Sequence, residues 1–206
     1  IDSDVNSSQV SCRIGTNNLQ AGIKAAEAAL ATDDEELYIG IVNYDVNSAN
    51  GQQRELGFRQ TVEQDPRVKN ITTINVLSTT EDARAGAKEM LLSDSRINVV
   101  VTFNEWTSLG VGWAIRDLNR ADRIQVVAFD SNVVSVGMLE TGEVDALIVQ
   151  NPYAMGYLGV ETAANLMNGQ TGGPSVVDTA TTIVTRENMY EPESQKILFS
   201  FEEEGY

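Results

Sequence analysis

Three apolar runs of this chain each deliver a polar side chain: Asn98–Phe103 stops at Asn104, Ile124–Phe129 at Asp130, and Asp145–Val149 at Gln150. Two amides and a carboxylate make a surface of donors and acceptors in fixed directions. Such a surface suits a polyhydroxyl molecule, because every hydroxyl both donates and accepts. Arg54 adds a guanidinium fork able to grip two acceptors at once. Trp106, just past Asn104, offers an aromatic face for a sugar ring. Each residue also has a reading without a ligand. Asn104 fits as the cap of a helix over Thr107–Leu118, and Asp130 as the cap of one starting near Val133. Gln150 is a poor cap, so local structure explains it least. Trp106 can pack, and Trp113, within a helical apolar pattern, belongs to the core.

Catalytic chemistry finds little support. The chain has no histidine and one cysteine. That removes His-based triads, most zinc sites and any disulfide within the chain. A thiolate nucleophile wants a base beside it, and Cys12, in the alternating stretch Val10–Ile14, reads as a core thiol. Asp45 and Asp130 are a conceivable carboxylate pair for glycoside hydrolysis, but nothing fixes their separation. There is no phosphate-cradling glycine loop, dinucleotide fingerprint or nucleophile elbow. The expectation is a protein that is not an enzyme and takes no cofactor and no metal. A net charge of −16, from 30 acidic and 14 basic residues, disfavours nucleic acid and anionic membrane surfaces. Hydrophobic content of 42% against 21% charged residues describes a globular chain, and no apolar run is long enough to cross a bilayer.

The elements that must position these side chains alternate. Strands are expected at Ser11–Thr16, Leu37–Tyr44, Asn70–Leu77, Ile97–Phe103, Ile124–Phe129, Ala146–Gln150 and Thr181–Val184. Between them the helical patterns run from Asn17 or Asn18 to Ala31, to about Val62, from Ser78 to Leu92, over Thr107–Leu118, over Val133–Thr141 and over Tyr153–Asn168, with a final turn at Glu193–Leu198. Thr32–Glu36 is an exposed acidic linker. Serial βα units imply an α/β fold with a parallel sheet and flanking helices. The three strand ends then converge on one rim, the usual ligand edge of such a sheet. Arg54, in the first turn of its helix, points to the same rim.

The order and spacing of several segments resemble type I periplasmic sugar-binding proteins of the ribose-binding family. Val101–Gly110 is similar to that family's Asn-Asp-x-x-Ala-x-Gly segment, Val126–Asp130 to its Val-x-Gly-Phe-Asp strand, and Arg54–Phe58 to its Arg-x-x-Gly-Phe helix start. Ala146–Gln150 with Gly156–Ala163 looks like the second hinge and the helix after it. Asp178–Met189 resembles the C-terminal stretch of Gram-positive members. The resemblance implies two α/β lobes joined by hinge strands, with the sugar in the cleft between them. It implies ligand contacts from Asp2, Arg54, Asn104, Asp130 and Gln150. Thr79 stands where the ribose binder carries a stacking aromatic, so that contact is missing or moved to Trp106. Ser3 and Glu105 also depart from the family's common residues.

The resemblance further implies a complete C-terminal lobe at 17–150, parts of the other lobe at 1–16 and 151–180, and a last hinge strand with a tail at 181–206. The opening Ile1-Asp2-Ser3-Asp4 reads as a strand end, so the expectation is a chain lacking its first part and unable to close on sugar alone. The implied function is the sugar-binding component of an ABC importer. Its partners would be a small sugar and a transporter permease, and its place the periplasm or the outer face of the cell membrane, with any lipoprotein anchor upstream. The alternatives are the effector domain of a lac-repressor-type regulator and the ectodomain of a sugar sensor.

Overall fold

The structure is a computed structural model, and it describes residues 1–3, 5, 7–170 and 172–199. The elements are β1 (Arg13–Thr16), α1 (Asn18–Leu30), β2 (Leu37–Asn43), α2 (Ala49–Val62), β3 (Val68–Asn75), α3 (Thr80–Ser93), β4 (Val99–Thr102), α4 (Glu105–Leu118), β5 (Gln125–Phe129), α5 (Val133–Thr141), β6 (Ala146–Val149), α6 (Pro152–Met167), β7 (Val176–Thr179), β8 (Thr182–Thr185) and α7 (Pro192–Leu198).

Side-chain oxygens start most of the helices. Asn17, Ser48, Thr79, Asn104, Asn132 and Asn151 each accept from the backbone N–H three residues on, which satisfies donors that a helix start leaves unpaired. The helix near Val133 is therefore capped by Asn132 and not by Asp130. Asn104 does cap α4, as one of its two readings expects.

Six strands form the main sheet in the order β3-β2-β4-β5-β6-β8. All neighbours are parallel except β8, which runs antiparallel to β6. Chain order reverses between β2 and β4, and crevices for ligands open at such a switch point, beyond the carboxyl ends of the strands. Because β4, β5 and β6 are buried on both faces, they read as continuous apolar runs and not as alternating ones. On one face Ile39, Val101, Phe129 and Ile148 pack with Ala25 of α1 and Phe58 of α2. On the other, Val100, Val126 and Leu147 pack with Ala87 of α3, Ile115 of α4 and Leu139 of α5. This gives three layers with two cores.

Helices α1 and α2 meet backbone to backbone. A Cβ on Gly22 would stand 2.0 Å from the Arg54 carbonyl oxygen, and one on Gly57 2.1 Å from that of Leu19. Only glycine permits this approach, and it brings Arg54 in under the rim.

A second, smaller sheet pairs β1 with β7 in parallel. The sequence reading misses β7, whose Val176 and Asp178 are exposed; it lacks the apolar run that marks a buried strand. The serial βα pattern also hides the antiparallel β8, since a strand's direction is not written in its composition. Cys12 is a free, half-buried thiol and not a core one, because β1 begins only at Arg13. Helix α6 buries only Met155, and Tyr153, Tyr157, Val160 and Met167 are exposed. Among the described residues, no helix is long and apolar enough to cross a membrane. Residues 200–206 of the expected tail lie outside the described residues.

Candidate functional site

The carboxyl ends of β4, β5 and β6 are adjacent, and they place Asn104, Asp130 and Gln150 side by side. Gln150 is the centre of a polar network. Its Oε1 accepts from Thr16 Oγ1 at 2.6 Å and from Arg54 Nη2 at 2.9 Å. Its Nε2 donates to Asp130 Oδ1. Thr16 ends β1 of the small sheet, so this network bridges the two sheets where the chain crosses between them.

Arg54 lies in the second turn of α2, one turn later than expected, and is 3% exposed. Its Nε donates to Asn18 Oδ1 at 2.8 Å and its Nη1 to the Phe103 carbonyl at 2.7 Å. The guanidinium lies 4.8 Å from the centre of the Phe129 ring, a cation–π arrangement. Arg54 thus holds Gln150 from behind and ties it to α1 and to the end of β4.

Asp130 Oδ2 accepts from the Glu105 backbone N–H at 3.1 Å. Burial pushes its carboxyl above the ordinary aspartate range, opposed by the nearby Arg54 charge and by the bonds from Gln150 and Glu105. Asp130 has φ 66° and Asp2 has φ 64°. A third non-glycine residue in this region, Asn119, closes helix α4. The two aspartates have no such capping role, and left-handed backbone at non-glycine residues concentrates at functional sites.

Asp2, Glu105, Asp130, Ser131, Gln150 and Met155 line a cleft of about 480 Å³, with Ile197 and Leu198 of α7 at its side. Three expected site residues, Asp2, Asp130 and Gln150, therefore share one cavity wall. Arg54 stands behind that wall. Asn104 is spent on structure: its Oδ1 accepts from Thr107 N at 3.0 Å and its Nδ2 donates to Ser78 Oγ at 2.7 Å. Trp106 is 48% exposed in the first turn of α4 and is not part of the cleft lining. Thr79, where a stacking aromatic was expected to be missing or moved, is the cap of α3.

Glu105, Thr16 and Asn18 were not anticipated as site residues. The signal for Glu105 was its place directly after the strand-end Asn104. Asn18 offered only a capping residue type, and for Thr16 the family resemblance implied a hinge at Thr16–Asn17 but no bond to Gln150. A larger hollow of about 900 Å³ opens at the opposite edge of the sheet, around Gln125, Asp145 and Arg186. It contains none of the rim residues, and we place the site at the carboxyl-end cleft on grounds of topology and convergent polar groups. Among the described residues, no group of acidic or cysteine side chains is placed to hold a metal ion.

Known proteins agree with this architecture. The family profile described as a periplasmic binding protein domain matches residues 1–171. A D-ribose/D-allose-binding protein of Pseudomonas aeruginosa is 28% identical over 150 residues, 71% of this chain and 47% of that protein. The chain thus spans about half the length of this curated relative. Among solved structures, a carbohydrate transporter solute-binding protein from Agrobacterium radiobacter, in complex with D-arabinose, superposes with a TM-score of 0.91 at 28% identity, covering 96% of this chain and 68% of that one. A sugar-binding protein of a sugar ABC transporter from Bacillus halodurans gives 0.85 at 28% identity, covering 92% and 69%. With its three-layer α/β fold and a profile match over most of its length, the chain belongs to the periplasmic binding protein domain family.

Proposed function

We propose that this chain is the sugar-binding part of an ABC-type carbohydrate importer component. The observation that carries the reading is the Thr16–Gln150–Asp130 network with Arg54 behind it. It sets a carboxylate and an amide on the wall of a cleft between the large and the small sheet. A sugar entering that cleft accepts and donates through its hydroxyls, and a hinge motion at Thr16 and Gln150 closes the two sheets around it. Residues 17–150 form one lobe and β1, β7 and α6 belong to the other, with β8 as a third connection. The relatives' pairing with sugar transporters supports a permease as partner, and a location in the periplasm or on the outer face of the membrane. The C-terminal run Asp178–Met189 favours a Gram-positive source with a lipoprotein anchor. Nothing in the cleft calls for catalysis.

The direct ligand contacts in this reading are Asp2, Asp130 and Gln150, with Trp106 engaged as the lobes approach, Asn104 capping α4 and Arg54 acting through Gln150. Thermal-shift screening of the full gene product carrying these 206 residues, against pentoses, hexoses and inositols, tests it. At least one sugar raises the midpoint, and Asp130→Ala abolishes the rise. An unchanged rise in Asp130→Ala refutes the placement of the site.

A further inference from the structure

Two kinds of side chain line the cleft. Asp2, Asp130 and Gln150 supply hydrogen-bonding groups, whereas Met155 of α6 and Ile197 and Leu198 of α7 supply apolar surface. Helix α7 follows the last strand, β8, and the polar strand ends that form the rim do not account for its presence here.

The helix is held to the large sheet. Leu198 is 8% and Met189 2% exposed, both in the core that contains Leu139 and Leu147. Gln195 Nε2 donates to the Met189 carbonyl at 2.6 Å. Tyr190 Oη donates to Glu140 Oε1 at 3.0 Å, which ties the turn before α7 to α5. Ile197 is only half-buried. It packs against the same core, and it borders both the cleft and an adjoining hollow of about 270 Å³ over Gln150, Asn151 and Tyr153. A β-branched side chain is stiff at χ1, so on a pinned helix Ile197 offers the cleft an apolar surface in a fixed place.

A monosaccharide carries both matching surfaces. Its hydroxyls suit Asp2, Asp130 and Gln150. The least hydroxylated edge of a pyranose, its C5–C6 side, is then the one left for α7. A methyl group there gains from burial against Ile197, whereas a hydroxymethyl group brings a hydroxyl onto hydrocarbon.

We propose that α7 is a wall of the ligand site and that Ile197 is a specificity-determining residue, favouring sugars with a methyl group on C5 over their hydroxymethyl counterparts. This rests on the sugar-binding reading above and adds to the site a segment beyond the last strand.

The test is calorimetric titration of the full gene product with pairs that differ only at C6, alongside ribose and arabinose. The pairs are D-fucose with D-galactose, 6-deoxy-D-glucose with D-glucose, and L-rhamnose with L-mannose. Within the pair that binds, the deoxy sugar should be tighter by about tenfold. Ile197→Ser puts a hydroxyl where branched hydrocarbon stood, and should cut that ratio to about twofold or less. Ile197→Val keeps an apolar, β-branched surface and should preserve most of it. Each ratio compares two ligands on one variant, so a general loss of stability moves both members alike. Lys196 borders the adjoining hollow, and Lys196→Ala should leave the ratio unchanged. Equal affinity within the pair, a preference for the hydroxymethyl sugar, or binding of the pentoses alone overturns the proposal while leaving sugar binding intact. A ratio unchanged in Ile197→Ser, or lost in Lys196→Ala, overturns the role of Ile197. Binding of none of the sugars overturns the sugar-binding reading and this inference with it.

Discussion

Replacing Arg54 by lysine tests whether the guanidinium braces the rim. Arg54 makes hydrogen bonds of 2.8, 2.7 and 2.9 Å to α1 and to the residues just past β4 and β6, and stacks on Phe129. A lysine ammonium is a point charge on a flexible stem and cannot span acceptors arranged for a planar fork. It retains about one of the three bonds. Each charge-assisted bond contributes roughly 1.5–3 kcal/mol, and Gln150 keeps its Thr16 partner, so the net loss should be about 3 kcal/mol. For a domain of this size that lowers Tm by roughly 6–12 °C, read by calorimetry or circular dichroism. Ligand affinity should fall as well, although the 3% exposed Arg54 has almost no surface to offer a ligand. Combining Arg54→Lys with Gln150→Leu in a double-mutant cycle should give a coupling of about 1–2 kcal/mol. A loss below about 1 kcal/mol, or additive effects in the cycle, would refute the bracing argument.

Gly22→Ala forces a methyl into the Arg54 carbonyl, and should cost about 2–3 kcal/mol by overpacking while weakening ligand binding through the displaced α2. Urea unfolding and titration on the same sample check both. Trp106→Ala should leave Tm nearly unchanged, because the indole is 48% exposed; reduced sugar affinity would show that it stacks on the ligand. The Asp130 carboxyl is raised in the folded state, so the fold holds that proton longer than the unfolded chain does. Its contribution to stability therefore falls as pH rises from the ordinary aspartate value through the raised one, and a Tm–pH series of Asp130→Asn should lack that fall. Asp117, bonded by Arg84 and Lys88, is lowered to about 2. Its contribution is present above the ordinary value and lost as acid approaches pH 2, and Asp117→Asn should flatten that acid limb.

Much of the scaffold is legible in the residues themselves. Val133–Thr141 is readable at its C-terminal end because Gly142 stops it, whereas the residues tie its start to Asp130 and the cap is Asn132. The rim is legible because β4, β5 and β6 are short apolar runs with a polar residue at each end. What the sequence hides is pairing at a distance. Whether a strand such as β8 runs parallel or antiparallel depends on its neighbours, and β7 is half exposed and lacks a buried signature. The site follows the same rule. Asp130 and Gln150 are visible as strand ends, but the bond between Gln150 and Thr16 spans 134 positions. Asn104 shows the converse difficulty, since one amide suits both a ligand and a helix cap, and here it serves the cap.

The left-handed backbone at Asp2 and Asp130 also restricts how this cleft can diverge over evolutionary time. At such torsions asparagine and glycine are the least strained replacements, whereas larger or β-branched side chains distort the loop. A lineage adapting to a new solute would pass most easily through aspartate-to-asparagine exchange, trading an acceptor pair for a donor and an acceptor at a fixed position. Changes of ligand size would have to come from other residues, such as Glu105 and Trp106, whose helical backbone tolerates nearly any side chain.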